Sequence, residues 1–317
     1  MQEMKGVLAA VGSSALGGVA VGATRYVMPF TDSVTLAMLR FGLGCVFLIP
    51  IALMRGSRWP ERRDWPAAVS LGLLLFSLFP ALFNEALFYT SAAHGALVLS
   101  TLPLVTMLIA ALLKVEPLSV RKSTGVAIAV LGVAVALLSG LKAAPAQAWI
   151  GDLLMLGAAV CMGIYSVFSG PIIARSSPLG FTILAMAAGA LVVAVLSCVS
   201  GGFRTIYGFG TLQWVSVAYL GVFGSAVIFL LWSFALAHTT PTRVAVSVTV
   251  NPVTASLVGA AFLGEALHWT TLVGLAGVLA GISIATSRAT KKRIRSADGA
   301  FPVDRAPEGT KSPPRLS

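Results

Sequence analysis

Ionisable side chains are rare enough in this chain that each one inside an apolar run is a candidate for chemistry. Arg40 stands alone in the run 33–54, about two turns, or roughly 10 Å, from its nearer end. Its insertion costs about 2.5–3.5 kcal/mol, which the run's many Leu, Ile, Phe and Val side chains offset at about 0.3–0.6 kcal/mol each. A guanidinium there braces neighbouring helices, snorkels to the surface, or reaches a solute carboxylate or gating partner. Asn84 and Glu85 follow Pro80, a candidate helix break, in the run 67–89, and His94 opens the next run after a very short turn. Runs joined so tightly are antiparallel neighbours, so Glu85 and His94 can approach. Glu85 is then a candidate to bind a solute amine or a proton, with His94 or Arg40 tuning it; the alternative is a solvated pair at the rim.

Pro103 and Pro252 each remove a backbone donor within a run and free the carbonyls of Leu99 and Val248. Ser100, Thr101, Ser247, Thr249 and Asn251 gather beside them. Polar groups at that depth survive only against protein or a watery cavity, so the two breaks mark either a cavity wall or packed kinks. Tyr165 and Trp232 can stack on a solute, or simply pack. Glu116 and Glu265 each precede the first turn of the next run, a position suited to helix capping or gate support rather than solute contact.

The chain has no HExxH, no GxSxG and no GxxxxGK[ST], and its three histidines, His94, His238 and His268, are scattered. Cys45, Cys161 and Cys198 lie inside apolar runs without metal spacing. These features predict no enzyme, no cofactor and no metal, and any driving force must be a gradient.

The elements that position these residues follow from composition. Of 317 residues 57% are hydrophobic and 10% charged, with mean hydropathy +0.92; soluble domains carry about 25% charged residues. Bilayer is the solvent that suits such a chain. Windows of about 20 residues, enough to cross roughly 30 Å of hydrocarbon, give ten segments. They lie near 5–27, 33–54, 67–89, 92–113, 121–140, 151–172, 179–199, 212–236, 241–263 and 269–287. All must be helices, because hydrocarbon offers no partner for free N–H and C=O groups. With the N-terminus in the cytoplasm, 18 of the 22 Lys and Arg fall inside and three outside, the last being Arg40. That bias places both termini in the cytoplasm of a bacterial inner membrane. Trp59, Trp65, Trp149, Trp214 and Trp269 fall at segment ends, where indole favours the interface. The apolar run after Lys5 has no clear small-residue cleavage site before Arg25, so a removable leader is not expected. The tail 289–317 is basic and rich in Pro, Gly and Ser, which reads as a disordered cytoplasmic anchor rather than a nucleic-acid site.

Shifted by 149 residues, the chain matches itself. Thirteen of 51 positions between 86 and 136 agree with 235–285, including Pro103 with Pro252, Glu116 with Glu265, Gly125 with Gly274 and Gly132 with Gly281. Gly6, Leu8, Gly12 and Gly18 repeat as Gly151, Leu153, Gly157 and Gly163. Five spans per unit is odd, so the second unit enters from the opposite face. The fold class is therefore all-α integral membrane, ten transmembrane helices as two inverted five-helix repeats. The repeats occupy 1–143 and 144–288. Inversion favours a site near the midplane that opens alternately to each side, and fused halves let a monomer form the path. The pairs Gly18/Gly22 and Gly277/Gly281 have the four-residue spacing of close helix approach.

Glu116-x-Leu118 with Gly125, its copy Glu265-x-Leu267 with Gly274, the paired prolines and Leu39-Arg40-Phe41 resemble the EamA family of the drug/metabolite transporter superfamily. The resemblance covers about residues 5–288. It implies a ten-helix inverted-repeat fold and movement of amino acids or other small metabolites, often outward, with amino-acid exporters of that superfamily as the nearest analogy. An interior with few charges suits neutral or zwitterionic solutes, a zwitterion using Arg40 at one end and Glu85 at the other. An exporter of drug-like or other metabolite solutes is the alternative, and a non-transporting membrane protein or a membrane enzyme is the alternative of another class.

Overall fold

The computed structural model describes residues 2–89, 98–136, 147–254, 257 and 269–286, and every regular element among them is helical. The first half contributes α1 (Gln2–Val27), α2 (Ser33–Met54), α3 (Trp65–Leu73), α4 (Phe79–Tyr89), α5 (Leu102–Leu112) and α6 (Val120–Ala136). The second contributes α7 (Ala148–Arg175), α8 (Pro178–Ser200), α9 (Thr211–Gly221), α10 (Ile228–His238), α11 (Pro241–Val246) and α12 (Trp269–Thr286). Among the described residues, Gln2–Thr24, Ser33–Met54, Arg62–Ala86, Ala148–Arg175, Pro178–Ser200 and Thr211–His238 are long and apolar enough to cross a membrane. Their ends follow local chemistry. Asp32 caps α2 by accepting from Val34 N at 3.0 Å and Thr35 N at 2.9 Å, Ser177 caps α8 through Gly180 N, and Gly201 closes α8 at φ 74°.

Two of these rods contain a π-helical turn at matching places. Leu74–Leu78 joins α3 to α4, and Val222–Val227 joins α9 to α10, about 149 residues on. In the first half the cause is Pro80, whose missing N–H cannot serve the carbonyl four residues back. The second half reaches the same geometry without a proline, with Gly221 and Gly224 at the turn.

The halves run in opposite senses. Gly6 in α1 lies against His238 at the end of α10, and Arg175 at the end of α7 binds Asp64 just before α3. So α7 stops at the end of the bundle where α1 starts. The main helix contacts are made between halves: α6 with α12, α2 with α8, α5 with α11, α1 with α10 and its counterpart α7 with α4, and α2 with α9 and its counterpart α8 with α3. Aromatic side chains of both halves meet in the core, Phe76 lying 4.7 Å from Phe229 and 5.1 Å from Phe41 between ring centroids, with Tyr165 at 6.2 Å. The five segment-end tryptophans stand exposed, as interfacial residues would.

The repeated glycines find their reason where α6 meets α12. A Cβ on Gly132 would stand 2.7 Å from Val278 N and 2.9 Å from Gly274 O, and one on Gly281 would collide with Ala129 N and reach Gly125 O at 2.6 Å. Each glycine therefore admits the backbone beside its own repeat partner's turn. The Gly277/Gly281 pair predicted as a packing surface lies here. Replacing Gly281 by Val should destabilise the protein by about 1–3 kcal/mol through overpacking, read as a lower thermal midpoint in detergent, whereas the exposed Leu279→Val should leave it nearly unchanged.

Candidate functional site

Arg40 is half-buried and its guanidinium is engaged across the halves. Nη2 donates to Gly224 O at 2.6 Å and Nε to Ser225 Oγ at 3.0 Å. Both acceptors belong to the π turn between α9 and α10, where the wider backbone spacing turns a carbonyl outward for a donor. Arg40 therefore bonds protein acceptors of the second half. The first half answers with a weaker tie, Ser77 Oγ of its own π turn donating to Gly189 O of α8 at 3.0 Å. Glycine makes the approach possible on both sides: Gly44 and Gly221 on α2 and α9, Gly72 and Gly189 on α3 and α8.

Pro80 is the second residue of α4, directly after the π turn. Asn84 is half-buried and Glu85 exposed on the same helix, which packs on α7 with Leu82 over Gly157. His94 lies outside the described residues, and with it the expected approach to Glu85.

The two proline segments are breaks rather than kinks in continuous helices. Pro103 sits in the first turn of α5, where its missing N–H costs nothing, so it opens a helix and does not interrupt one as the sequence suggested. Thr101 Oγ1 donates to Val98 O at 2.6 Å, and Ser100 is buried. In the second half a 3-10 turn, Ser247–Thr249, ends α11 and precedes Pro252. Ser247 Oγ donates to Val244 O at 2.7 Å and pairs with Ser14 Oγ of α1 at 2.9 Å, and Thr249 Oγ1 donates to Val246 O at 2.7 Å. Asn251 faces Gly17 of α1, a Cβ on which would stand 3.0 Å from Asn251 Oδ1. The side chains that could have faced a cavity mostly satisfy the broken backbone, consistent with the cost of leaving it bare.

Five buried polar atoms at depth have no hydrogen-bond partner among the described residues: Tyr165 Oη, Trp232 Nε1, Thr106 Oγ1, Ser169 Oγ and Asn251 Oδ1. Tyr165 and Ser169 are one turn apart on α7, Thr106 of α5 faces Gly163 of the same helix, and Trp232 lies on α10, which also packs on α7. Orphaned polar atoms are unfavourable in a folded interior and call for a ligand or water. Thr106 and Ser169 were not singled out from sequence, because a lone hydroxyl in an apolar helix commonly bonds its own backbone.

At the end where the chain starts, side chains tie the halves together. Asp64 takes Arg175 through both carboxylate oxygens at 2.7 and 3.0 Å, Glu3 pairs with Arg243, and Ser177 Oγ donates to Arg58 O at 2.8 Å. Buried Glu116 binds Lys122 Nζ at 2.5 Å and accepts from Thr242 N at 3.0 Å. It caps α11 of the other half, a correction to the expectation that it serves the helix following it in sequence. Glu265 lies outside the described residues.

Apolar rods paired across two inverted halves make this a multi-pass membrane protein. The model of the EamA-like transporter family matches residues 4–138 and 149–287. The chain belongs to that family and is a membrane transporter, not an enzyme. It is 27% identical over 270 residues to an uncharacterized transporter of Archaeoglobus fulgidus, covering 84% of this chain and 93% of that protein. To a probable terminal-alkyne amino-acid exporter of Streptantibioticus cattleyicolor it is 29% identical over 260 residues, covering 81% and 85%. A crystal structure with 22% sequence identity shares the fold at TM-score 0.74, covering 90% of this chain and 96% of the other.

Removing Arg40 leaves Gly224 O and Ser225 Oγ without their donor. Arg40→Ala should lower stability by about 1.5–3 kcal/mol and Ser225→Ala by about 1 kcal/mol. A double-mutant cycle on thermal unfolding in detergent should show the two effects to be coupled.

Proposed function

We propose that the chain exports small neutral or zwitterionic metabolites, amino acids first among them, by alternating access between its inverted halves. The observation that carries this reading is the pairing of helices between halves that run in opposite senses, the arrangement from which a path can open to either face in turn. In this reading the protein has ten spans, the described helices α5, α6, α11 and α12 belonging to the four that are short here. It comprises repeats 1–143 and 144–288 and a cytoplasmic tail 289–317, acts as a monomer in a bacterial inner membrane, and keeps both termini in the cytoplasm, where the Lys and Arg bias puts them.

Substrate class rests on the interior. Buried polar groups there are mostly hydroxyls, with the Tyr165 phenol and the Trp232 indole unpartnered among the described residues. Such a lining offers hydrogen bonds and aromatic faces but little charge, which suits a neutral or zwitterionic solute and disfavours a polyanion. We assign Tyr165, Trp232, Thr106, Ser169 and Asn251 to solute contact, and Ser100, Thr101, Pro103 and Pro252 to the walls beside it. Glu85 and Asn84 we assign to the opposite mouth, where Glu85 can meet a solute amine; Arg40 acts as a brace. The named function of the Streptantibioticus relative supports amino acids over drug-like cations.

The test is counterflow by purified protein in proteoliposomes against labelled neutral and aromatic amino acids, then purines, sugars and drug-like cations. Saturable amino-acid exchange is the expected result; exchange of only another class would replace the substrate, and silence from folded protein would end the reading. On the solute that exchanges, Tyr165→Phe should raise KM about two- to tenfold, the loss of one hydrogen bond. Its thermal midpoint should change little, the hydroxyl having at most a weak contact with Ser233 to lose, about 1 kcal/mol.

A further inference from the structure

The turn between α10 and α11 is gripped from two sides. Glu116, on the connection between α5 and α6, accepts from Thr242 N, and Glu3 in the first turn of α1 pairs with Arg243. Helix α1 lies directly on the turn: a Cβ on Gly6 would stand 3.0 Å from His238 Cβ and 3.3 Å from Thr239 Cγ2. Both carboxylates come from the first half, and what they hold belongs to the second.

The same turn is poor in one respect. The hydroxyl oxygens of Thr239, Thr240 and Thr242 are buried without a hydrogen-bond partner among the described residues. Burying a hydroxyl unpaired is unfavourable, so a turn with three of them gains by returning to water. Thr240 is the telling one. It occupies the N-cap position of α11 with extended backbone, φ −79° and ψ 149°, yet its side chain caps nothing. Threonine there ordinarily accepts from the N–H groups two or three residues on, and the first of these, Thr242 N, is held by Glu116 instead.

We propose that Glu116 is the latch of the end where the chain starts, exchanging with Thr240 as the cap of α11. With this end closed, Glu116 holds Thr242 N and the three hydroxyls stay dry. As the turn swings away from α1 and Glu116, the hydroxyls hydrate and Thr240 takes over the orphaned N–H. The backbone donor is capped in both states, so the swing exposes no bare amide and the two arrangements can lie close in free energy. Lys122, bound to the same carboxylate, keeps Glu116 in place while it waits. The latch rests on the alternating-access reading, because only a transporter of that kind must open this end.

Two arms test it in reconstituted full-length protein with Cys45, Cys161 and Cys198 replaced by alanine. In the first, Thr239→Cys is labelled with a membrane-impermeant maleimide added on the side of the N-terminus. Adding Glu116→Ala should speed labelling about tenfold, and adding Thr240→Ala, which removes both the alternative cap and one buried orphan, should slow it about fivefold. In the second, Glu3→Cys with Arg243→Cys is cross-linked; solute exchange should stop and return with reductant. Opposite signs in the first arm distinguish a latch from a fold-stabilising carboxylate, and the Thr240 and cross-link variants carry the test if Glu116→Ala does not fold. Labelling rates unaffected by either substitution, or a cross-linked protein that still exchanges, would overturn the proposal. Labelling needs no known solute, so a protein that exchanges nothing but shows both rate changes keeps the latch and loses the amino-acid reading.

Discussion

Hydrocarbon supplies no hydrogen-bond partner, so every irregularity of backbone within a span has to be repaired by the protein itself. Most of the polar chemistry inside this molecule is such repair. The π turn Val222–Val227 turns Gly224 O toward α2, and Arg40 arrives from the other half to bind it. The breaks at Val98–Thr101 and Ser247–Thr249 are stitched by the hydroxyls of Thr101, Ser247 and Thr249. These hydroxyl repairs stay within one half, whereas the charged ones cross: Arg40 binds the second half's π turn and Glu116 caps the second half's α11. The two charged repairs therefore also join the halves to each other.

Close backbone contact does the rest of the joining. With lipid tails as apolar as Leu, helices gain little by hiding apolar surface from one another, and small residues that let backbones approach carry the association. The α6–α12 seam uses Gly125, Gly132, Gly274 and Gly281 in two reciprocal pairs, and α2 and α8 reach the opposite π turns over Gly44, Gly72, Gly189 and Gly221. An interface made this way has few side chains to repack. It suits halves that tilt against each other more than halves that deform.

This explains which features could be read from the sequence. The membrane and the repeat were legible because they rest on composition and on rare residues recurring at one spacing. The seam glycines stood out because they recur at one offset in both halves. Pro80 marked a helix break but not its π form, and the matching turn in the second half carries no proline and gave no signal. Partner choice was harder. Glu116 looked like a cap for the helix beside it, yet the N–H it holds is 126 residues away, and only the inverted pairing of α5 with α11 brings the two together. Arg40 was legible as a cation inside an apolar run, but its acceptors lie 184 and 185 residues on and could not be read from the sequence. Tyr165 and Trp232 were legible as residues, whereas their unsatisfied polar atoms are a property of packing and invisible in one dimension.

Three carboxylates, Glu3, Asp64 and Glu116, join the halves at the end where the chain starts, each reaching from the first half to the second. If inverted halves rock about a central path, distances at the two ends must change in opposite directions. Electron–electron distance measurement would show this most directly, with one spin-label pair at Lys114 and Ala237 and another at Phe30 and Trp149 at the opposite end. The account predicts that saturating transported solute shifts the two distributions together and in opposite senses, one end widening as the other narrows. Two distributions that stay fixed, or that widen in unison, in protein competent for exchange would contradict it.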